Sequence, residues 1–462
     1  MLFQGHRAVT TARVCGGHAK VISCQAPGTR RLDQRLVAGG LKVKFLALVT
    51  VIGFTPLLPA MAQFTFTRVA STATPVPGGT GNFDFMGYPV TDGQRVYFNG
   101  ADADGHVGVF GGTGGTLVTV ADWNTLLPGT NETFTSFARP HVYQGVVGLE
   151  GQSATVQGLY EAGSSLLRIA DTTMPLPGGG GNFQVFNEFS LSSWGMAFRA
   201  NVSLPAEGIY KYTASGLATV ANFETPVPGG SGTTFQALEF AVASAGGVTF
   251  TGNNMVEGAG RRLGIYQANA AGELRAVLDN TDIDPGSDTP YSAFGQPEVN
   301  DAGQMAVLAE SDQNSFQSIR FWDGSQWSTV AKQGTPVPGR PEAHFTLIHP
   351  GLSLDESGAI AFRADDDANN SGIYLARGLQ LLKVADLDTV IDEGKIPLRD
   401  SQALGLADNQ MANGLLCFRA VTGPGEFGIY VTQVPEPSSA VLVGLGLLLM
   451  RCTAARKWRR AR

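Results

Sequence analysis

The constraint that dominates this chain is internal repetition. A Gly-Ile-Tyr-like triplet recurs as Gly108-Val109-Phe110, Gly158-Leu159-Tyr160, Gly208-Ile209-Tyr210, Gly264-Ile265-Tyr266, Ser318-Ile319-Arg320, Gly372-Ile373-Tyr374 and Gly428-Ile429-Tyr430. The steps between copies are 50, 50, 56, 54, 54 and 56 residues. A fixed period of this length signals one supersecondary unit that buries its apolar surface only against its neighbours. About a dozen residues before each triplet stands a Gly-led apolar run, for example Gly195 to Ala200, Gly358 to Ala364 and Gly414 to Ala420. After the triplet comes a run ending in Val-Ala or a relative of it: Leu117 to Ala121, Leu166 to Ala170, Leu217 to Ala221, Leu274 to Leu278, Trp327 to Ala331 and Leu381 to Ala385. The seventh copy of that run, Phe66 to Ala70, stands before the first triplet. Pro-Gly then follows at a constant distance, as Pro77-Gly78, Pro128-Gly129, Pro177-Gly178, Pro228-Gly229, Pro285-Gly286 and Pro338-Gly339, and the seventh copy reads Asp392-Glu393-Gly394. Pro fixes φ and Gly accepts positive φ, so each pair predicts a rigid turn.

Each repeat holds four short β-rich segments separated by Gly, Asn and Asp, and the body shows no helical period. Four short strands with their connections fill a unit of this size. The expectation is an all-β fold: a seven-bladed β-propeller of four-stranded blades over residues 63–433. The permuted order specifies how it closes. The chain begins with a fourth-strand segment and ends after a third-strand segment, so the N-terminal strand is expected to join the last blade. An open β-solenoid gives no reason for that complementary remainder.

The two ends read differently from the body. Residues 41–62 have the form of a secretory signal: Lys42 and Lys44, an apolar run from Phe45 to Leu58, then Ala60-Met61-Ala62, with cleavage expected before Gln63. The expectation for residues 1–40 is a miscalled upstream extension. At the other end, Val434-Pro435-Glu436-Pro437 precedes an apolar run from Ala440 to Met450. Arg451, Arg456, Lys457, Arg459, Arg460 and Arg462 then form a basic stop. This three-part end, residues 434–462, resembles the PEP-CTERM sorting signal of exopolysaccharide-producing Gram-negative bacteria. The resemblance implies a short transmembrane helix, a transient stay in the inner membrane, and processing by the protease-transpeptidase exosortase. Transfer to the cell surface or extracellular matrix would follow. Asn300 to Val307 and Asp355 to Phe362 likewise resemble the NxxGxxAF repeat of bacterial surface proteins, which implies a repeat fold and brings no catalytic residues with it.

Charge narrows the partners. The whole chain has 32 Lys and Arg against 39 Asp and Glu. Setting aside the eight basic residues and one acid of residues 1–62, and the six basic residues of the tail, leaves 18 basic against 38 acidic, a net of −20. Such a body repels nucleic acid and anionic lipid. Cys417 is the only cysteine between the ends, so the body makes no internal disulfide.

Catalytic signals are weak. The body has neither a G-x-S-x-G elbow nor sialidase-type Asp boxes, and its four histidines, His106, His141, His344 and His349, lie at no metal-ligand spacing. The expectation is a non-enzymatic chain without a resident cofactor. Asp-rich loops are the candidate ligands for Ca²⁺, namely Asp102 and Asp104, Asp282 and Asp284, and Asp365, Asp366 and Asp367, although Asp is equally a turn residue. The functional expectation is an exported structural or adhesive protein of the exopolysaccharide matrix. A glycan- or protein-binding module, and after it a polysaccharide hydrolase or lyase, are the alternatives.

Overall fold

The computed structural model describes residues 64–435, apart from 204–205, 255–260, 313–314, 379 and 392–403. It is a seven-bladed β-propeller: seven antiparallel sheets, each with a four-strand spine that in six of them runs in chain order from the axis outward. Blade 1 has Phe83–Met86 with Val90–Thr91 innermost, then Val96–Asp102, Val107–Gly112 and Val118–Asp122. In most blades the first strand is broken into two short pieces, both pairing with the second strand.

The ring closes as the repeat order requires. Phe66–Ser71 pairs antiparallel with Glu426–Gln433, register Phe66↔Thr432 to Ser71↔Gly428, and becomes the outermost strand of blade 7. The apolar core is split into seven clusters, one between each pair of neighbouring blades. The cluster that joins blade 7 to blade 1 contains Val69, Ala70, Ile429 and Val431 with Phe98 and Phe110. No blade edge at the seam is therefore left unpaired.

Each repeated motif has a physical task. In the third-to-fourth strand pairing every blade carries a β-bulge at the same place. Ile209 pairs Ala221 while Tyr210 pairs Thr219, leaving Val220 as the extra residue, and the equivalents are Val120, Ile169, Val277, Val330, Val384 and Val69. A bulge at one position sharpens the strand twist identically in all blades. The triplet glycine makes room for its own aromatic partner. A Cβ on Gly208 would lie 2.8 Å from the Tyr210 ring, and one on Gly372 would lie 2.7 Å from the Tyr374 hydroxyl. Those rings meet edge-on a Phe in or just before the first strand, as in Phe183–Tyr210 at 5.1 Å and Phe345–Tyr374 at 4.7 Å. The blade that lost the glycine, with Ser318, also lost the ring and has Arg320.

Five of the six Pro-Gly pairs are type II turns at the tips of small hairpins that link the outer strand of one blade to the inner strand of the next; Pro285-Gly286, whose Gly lacks positive φ, is the exception. Gly78 and Gly229 both have φ +75, and Gly79 N–H donates to Val76 O at 3.0 Å. The residue before Pro plugs the interblade core, as Val76, Leu127, Val227 and Val337 do. The N-x-x-G of the surface-protein repeat is the turn between the first and second strands. Asn300 Oδ1 accepts from Gln304 N–H at 2.9 Å, and Asn300 Nδ2 donates to the Asp355 carbonyl of the next blade at 2.9 Å.

Candidate functional site

The first strands of the blades meet around the axis, each touching the next in a closed circle. One position on each inner strand is equivalent by its pairing with the second strand: Val90, His141, Ser190, Val242, Glu298, Ser353 and Gln410. All seven are buried, and five of them are polar. Buried polar groups need partners, and here the partners come from neighbouring blades. Ser353 Oγ accepts from Gln410 and Met411 N–H at 2.8 Å each. Gln410 Nε2 donates to Pro89 O at 3.0 Å, and Ser190 Oγ donates to Ala241 O at 3.1 Å. This polar belt ties the blades together at the axis.

Around His141 and Glu298 the belt widens into a charged cluster. Arg139 and Asp408 form a close ion pair across the axis from blades 2 and 7. Gln296 Nε2 donates to Asp408 Oδ2 at 2.9 Å, and Asn409 Nδ2 lies 2.8 Å from His141 Nδ1. Burial, then the nearby Arg139 cation, pull the His141 imidazole down to about 4, so it is neutral at neutral pH. Burial and the Asp408 charge push the Glu298 carboxyl well above its ordinary range. Burial works against ionising Asp408 too, but the Arg139 charge and hydrogen bond outweigh it and hold the carboxyl at about 2. Glu150, nearby on blade 2, is raised to about 7, mainly by burial.

Two hollows flank this cluster, and His141 and Gln296 belong to the walls of both. The larger, about 360 Å³, is a vestibule on the face of the first-to-second strand turns and takes wall residues from all seven blades. Its wall carries the carboxyl groups of Asp92, Glu298, Asp301, Asp355 and Glu356 with several Asn and Gln, and no Lys or Arg among the described residues lines it. Tyr143 Oη donates to Asp301 Oδ2 at 2.6 Å, and Ala245 N–H to Asp301 Oδ1 at 2.8 Å, so blades 2, 4 and 5 are strapped together at the mouth. The smaller hollow, about 130 Å³, includes Arg139, Glu150, Glu188 and Phe240. Phe240 has φ +58, a strained conformation for an aromatic residue beside a charged cluster.

The Asp residues singled out from the sequence are spread over three places on the opposite face. Asp102 is buried: its oxygens accept from the Thr80, Gly81, Asp104 and His106 N–H groups and sit 2.7 Å from His106 Nδ1. Asp366 is also buried; it caps the turn through Ala368 and Asn370 N–H and lies 2.7 Å from the Arg340 guanidinium. Asp284 stands where other blades have the plugging Val. It is fully buried, and Ser318 and Ser311 hydroxyls donate to it at 2.9 and 3.2 Å. Asp282 caps its own turn through Asp279 N–H. Asp365 pairs with His349 at 2.9 Å and Asp367 with His344 at 3.4 Å. Asp102, Asp284 and Asp366 are therefore turn caps and core groups. Among the described residues, Asp102, Asp104 and His106 form the one group close enough to share an ion, with ligand atoms within 4.8 Å of one another.

The four described tryptophans are half-buried: Trp123 packs on His106 at 4.5 Å, Trp322 lies 5.7 Å from Trp327, and Trp194 packs against the core between blades 3 and 4. Val434 is buried in the core between blades 6 and 7, with its N–H on Gly414 O at 2.7 Å, and Arg377 Nη1 donates to Pro435 O at 2.9 Å. The ring's contacts thus continue through the first two residues of the Val-Pro-Glu-Pro segment. Glu436, Pro437, the basic tail, the signal segment with Ala60, Ala62 and Gln63, and the Asp392-Glu393-Gly394 turn lie outside the described residues. Among the described residues, no helix is long and apolar enough to cross a membrane.

Sequence reasoning missed the axial cluster because consensus erases it: the seven equivalent inner positions hold five different residue types. One signal was available. Arg139-Pro140-His141 and Gln296-Pro297-Glu298 place polar residues on both sides of a Pro where Tyr88-Pro89-Val90 has apolar ones.

Solved structures similar to this chain include the β-propeller domain of the Trilobed protease from Pyrococcus furiosus, at 8% identity over 77% of this chain and 98% of that one, TM-score 0.47. The polysaccharide lyase Uly1 is 10% identical over 81% of this chain and 100% of its own, TM-score 0.44. A fucose-specific lectin from Aleuria aurantia is 11% identical over 72% and 97%, TM-score 0.33. None of the curated proteins matches the chain in sequence. A family model does match, over residues 61–441, which takes in every blade and the closing strand: the chain belongs to the family described as "Family of unknown function (DUF7453)".

Proposed function

We propose that this chain is an exported, non-enzymatic propeller of the cell surface or extracellular matrix, delivered through exosortase processing of its C-terminal segment, and that it holds matrix glycan at the axial vestibule. The observation that carries the binding role is the vestibule wall: carboxyl and amide side chains from five of the seven blades, with no Lys or Arg among the described residues that line it. Carboxylates and amides accept and donate the paired hydrogen bonds that sugar hydroxyls offer. The body's net charge of −20 turns away uronate and sulfate polymers, which leaves neutral or amine-bearing glycans. Binding is favoured over hydrolysis because Arg139, His141, Gln296 and Asp408 are spent on one another.

Equilibrium binding of the full-length protein, purified in mild detergent, tests this reading with neutral, amino and uronate oligosaccharides. Neutral or amino sugars should bind, and Asp301→Asn, which removes a charged acceptor at the mouth, should weaken them by roughly tenfold. A preference for uronate oligosaccharides would overturn the assignment.

A further inference from the structure

The vestibule has a side exit. Tyr143, Gln144 and Leu191 of its wall are shared with a second hollow of about 430 Å³ between blades 2 and 3. That hollow in turn shares Trp194 and Thr213 with a third, of about 230 Å³, between blades 3 and 4. The three lie on the face of the first-to-second and third-to-fourth strand turns and run from the axis outward, in the size range of ordinary small-molecule sites, roughly 300–1,000 Å³, when taken together.

Aromatic rings recur along this path. Tyr143 stands at the junction with the vestibule, Tyr212 in the second hollow, and Trp194 on the ridge common to the second and third. All three are half-buried, so part of each ring is open. Two are held before any ligand arrives. Trp194 Nε1 donates to Ser244 O at 2.8 Å, while Tyr143 Oη donates to Asp301 at 2.6 Å and accepts from Gln144 Nε2 at 3.0 Å. Fixed rings lose little entropy on binding. The outer hollow is kept open by Gly247, Ala268, Ala270 and Gly272, and its polar groups are Thr213, Thr219, Asn269 and Lys211. Rings spaced by hydroxyl and amide groups suit a ligand whose units each present an apolar C–H face and a rim of hydroxyls. A lipid chain would leave those polar groups unpaired.

We infer that the three hollows form one extended site for a linear, uncharged glycan chain, with Tyr143, Tyr212 and Trp194 as stacking platforms and the vestibule holding the inner end. This rests on the glycan-holding role proposed above.

The test is a length series. Linear neutral glucan and chitin oligomers, from dimer to hexamer, are titrated into the full-length protein. Affinity should rise with length. Trp194→Ala should weaken the hexamer by roughly tenfold, the scale of one aromatic contact, and leave the dimer unchanged. Trp194 also packs on the core, so Thr219→Arg provides a second variant: Thr219 is exposed on the outer wall, and a long side chain there fills the hollow without removing any packed ring. It should cost the hexamer a similar factor. If dimers bind but hexamers bind no tighter, or if Thr219→Arg leaves the hexamer at full affinity, the extended site is wrong and the vestibule role stands. If no oligomer of any length binds, the vestibule role falls and the extended site falls with it.

Discussion

Val69 offers a quantitative test of ring closure, because an internal control exists within the same molecule. It is the bulged residue of the N-terminal strand, 3% exposed, packed in the cluster between blades 7 and 1. Val384 is the bulged residue at the same repeat position in blade 6, 4% exposed, in the cluster between blades 6 and 7. The two differ in one respect: Val384 follows its blade directly in the chain, whereas Val69 reaches its blade only if the ring is shut. Replacing either by Ala removes two buried methyl groups and leaves a small cavity, a loss of about 2 kcal/mol. Thr67→Ala, on the exposed side of the same strand, should stay within about 0.5 kcal/mol of the parent. Chemical denaturation followed by tryptophan fluorescence reads all three. Equal losses at positions 69 and 384 mean that the terminal strand is as much a part of the ring as any internal strand. A Val69→Ala variant as stable as the parent, beside a Val384→Ala variant that is clearly weakened, would refute closure. So would a chain begun after Ser71 that unfolds at the parent's midpoint.

The charged groups of the axis give a pH signature: with the Glu150 carboxyl raised to about 7 by burial, the unfolded chain releases that proton first, near its ordinary value of about 4.3, so the stability that Glu150 contributes falls as pH rises from there to about 7, against the rise that the lowered His141 imidazole contributes over about 4 to 6.5. Glu150→Gln should remove the falling part, so that denaturation midpoints climb more with pH than the parent's across the range, and an unchanged pH dependence would remove Glu150 as a source. On the sorting reading, Glu436→Ala should leave unprocessed protein in the inner membrane fraction, and normal release would favour a plain tail anchor. Cysteines placed singly at Ala368 and Ser215, both exposed and on opposite faces, report orientation on intact spheroplasts when Cys15, Cys24 and Cys452 are Ser and the buried Cys417 is kept. Position 368 should label readily and position 215 should be protected, and the reverse pattern would invert the orientation.

Much of the architecture could be read from the chain because repetition averages out local ambiguity. A single Val-Ala pair says little, but six copies of it or of a relative, each 11 to 13 residues after a triplet, define the outer strand, and the copy at Phe66 to Ala70 defines the closure. What was hidden follows from the same averaging. His141, Glu298 and Gln410 share one position in the repeat with Val90 and Val242, so no motif marks them. Asp102 and Asp366 could be read from the sequence as cation ligands or as turn caps, because both tasks use the same residue type; their burial beside His106 and Arg340 arises only on folding. Asp284, Ser318 and Arg320 depart from the consensus together. Their common explanation, a polar core in blade 5, is visible only once Asp284 and Ser318 are seen to be bonded.

The place where the chain leaves the ring has a consequence for the proposed role. Val434 hangs on Gly414, in the first-to-second strand turn of blade 7, and Pro435 is held by Arg377 at the end of a third strand. Those turns surround the vestibule mouth and the outer hollows. The Pro-Gly hairpins and the Asp-capped second-to-third strand turns occupy the other face, where Thr80 and Asp102 bind them to each other. The loops richest in Asp are thus turned away from the chain exit, and the open, partly aromatic cavities lie on the exit side. The ring's contacts run through Pro435, and four residues, 436–439, lie between it and the apolar run that begins at Ala440. On the sorting reading, a precursor tethered by its C-terminal segment presents its ligand face to the bilayer at the short reach of those residues. Processing then does more than move the protein: it uncovers the site. A tethered precursor should take up soluble oligosaccharide poorly, and the released form fully, with no change in the ring itself.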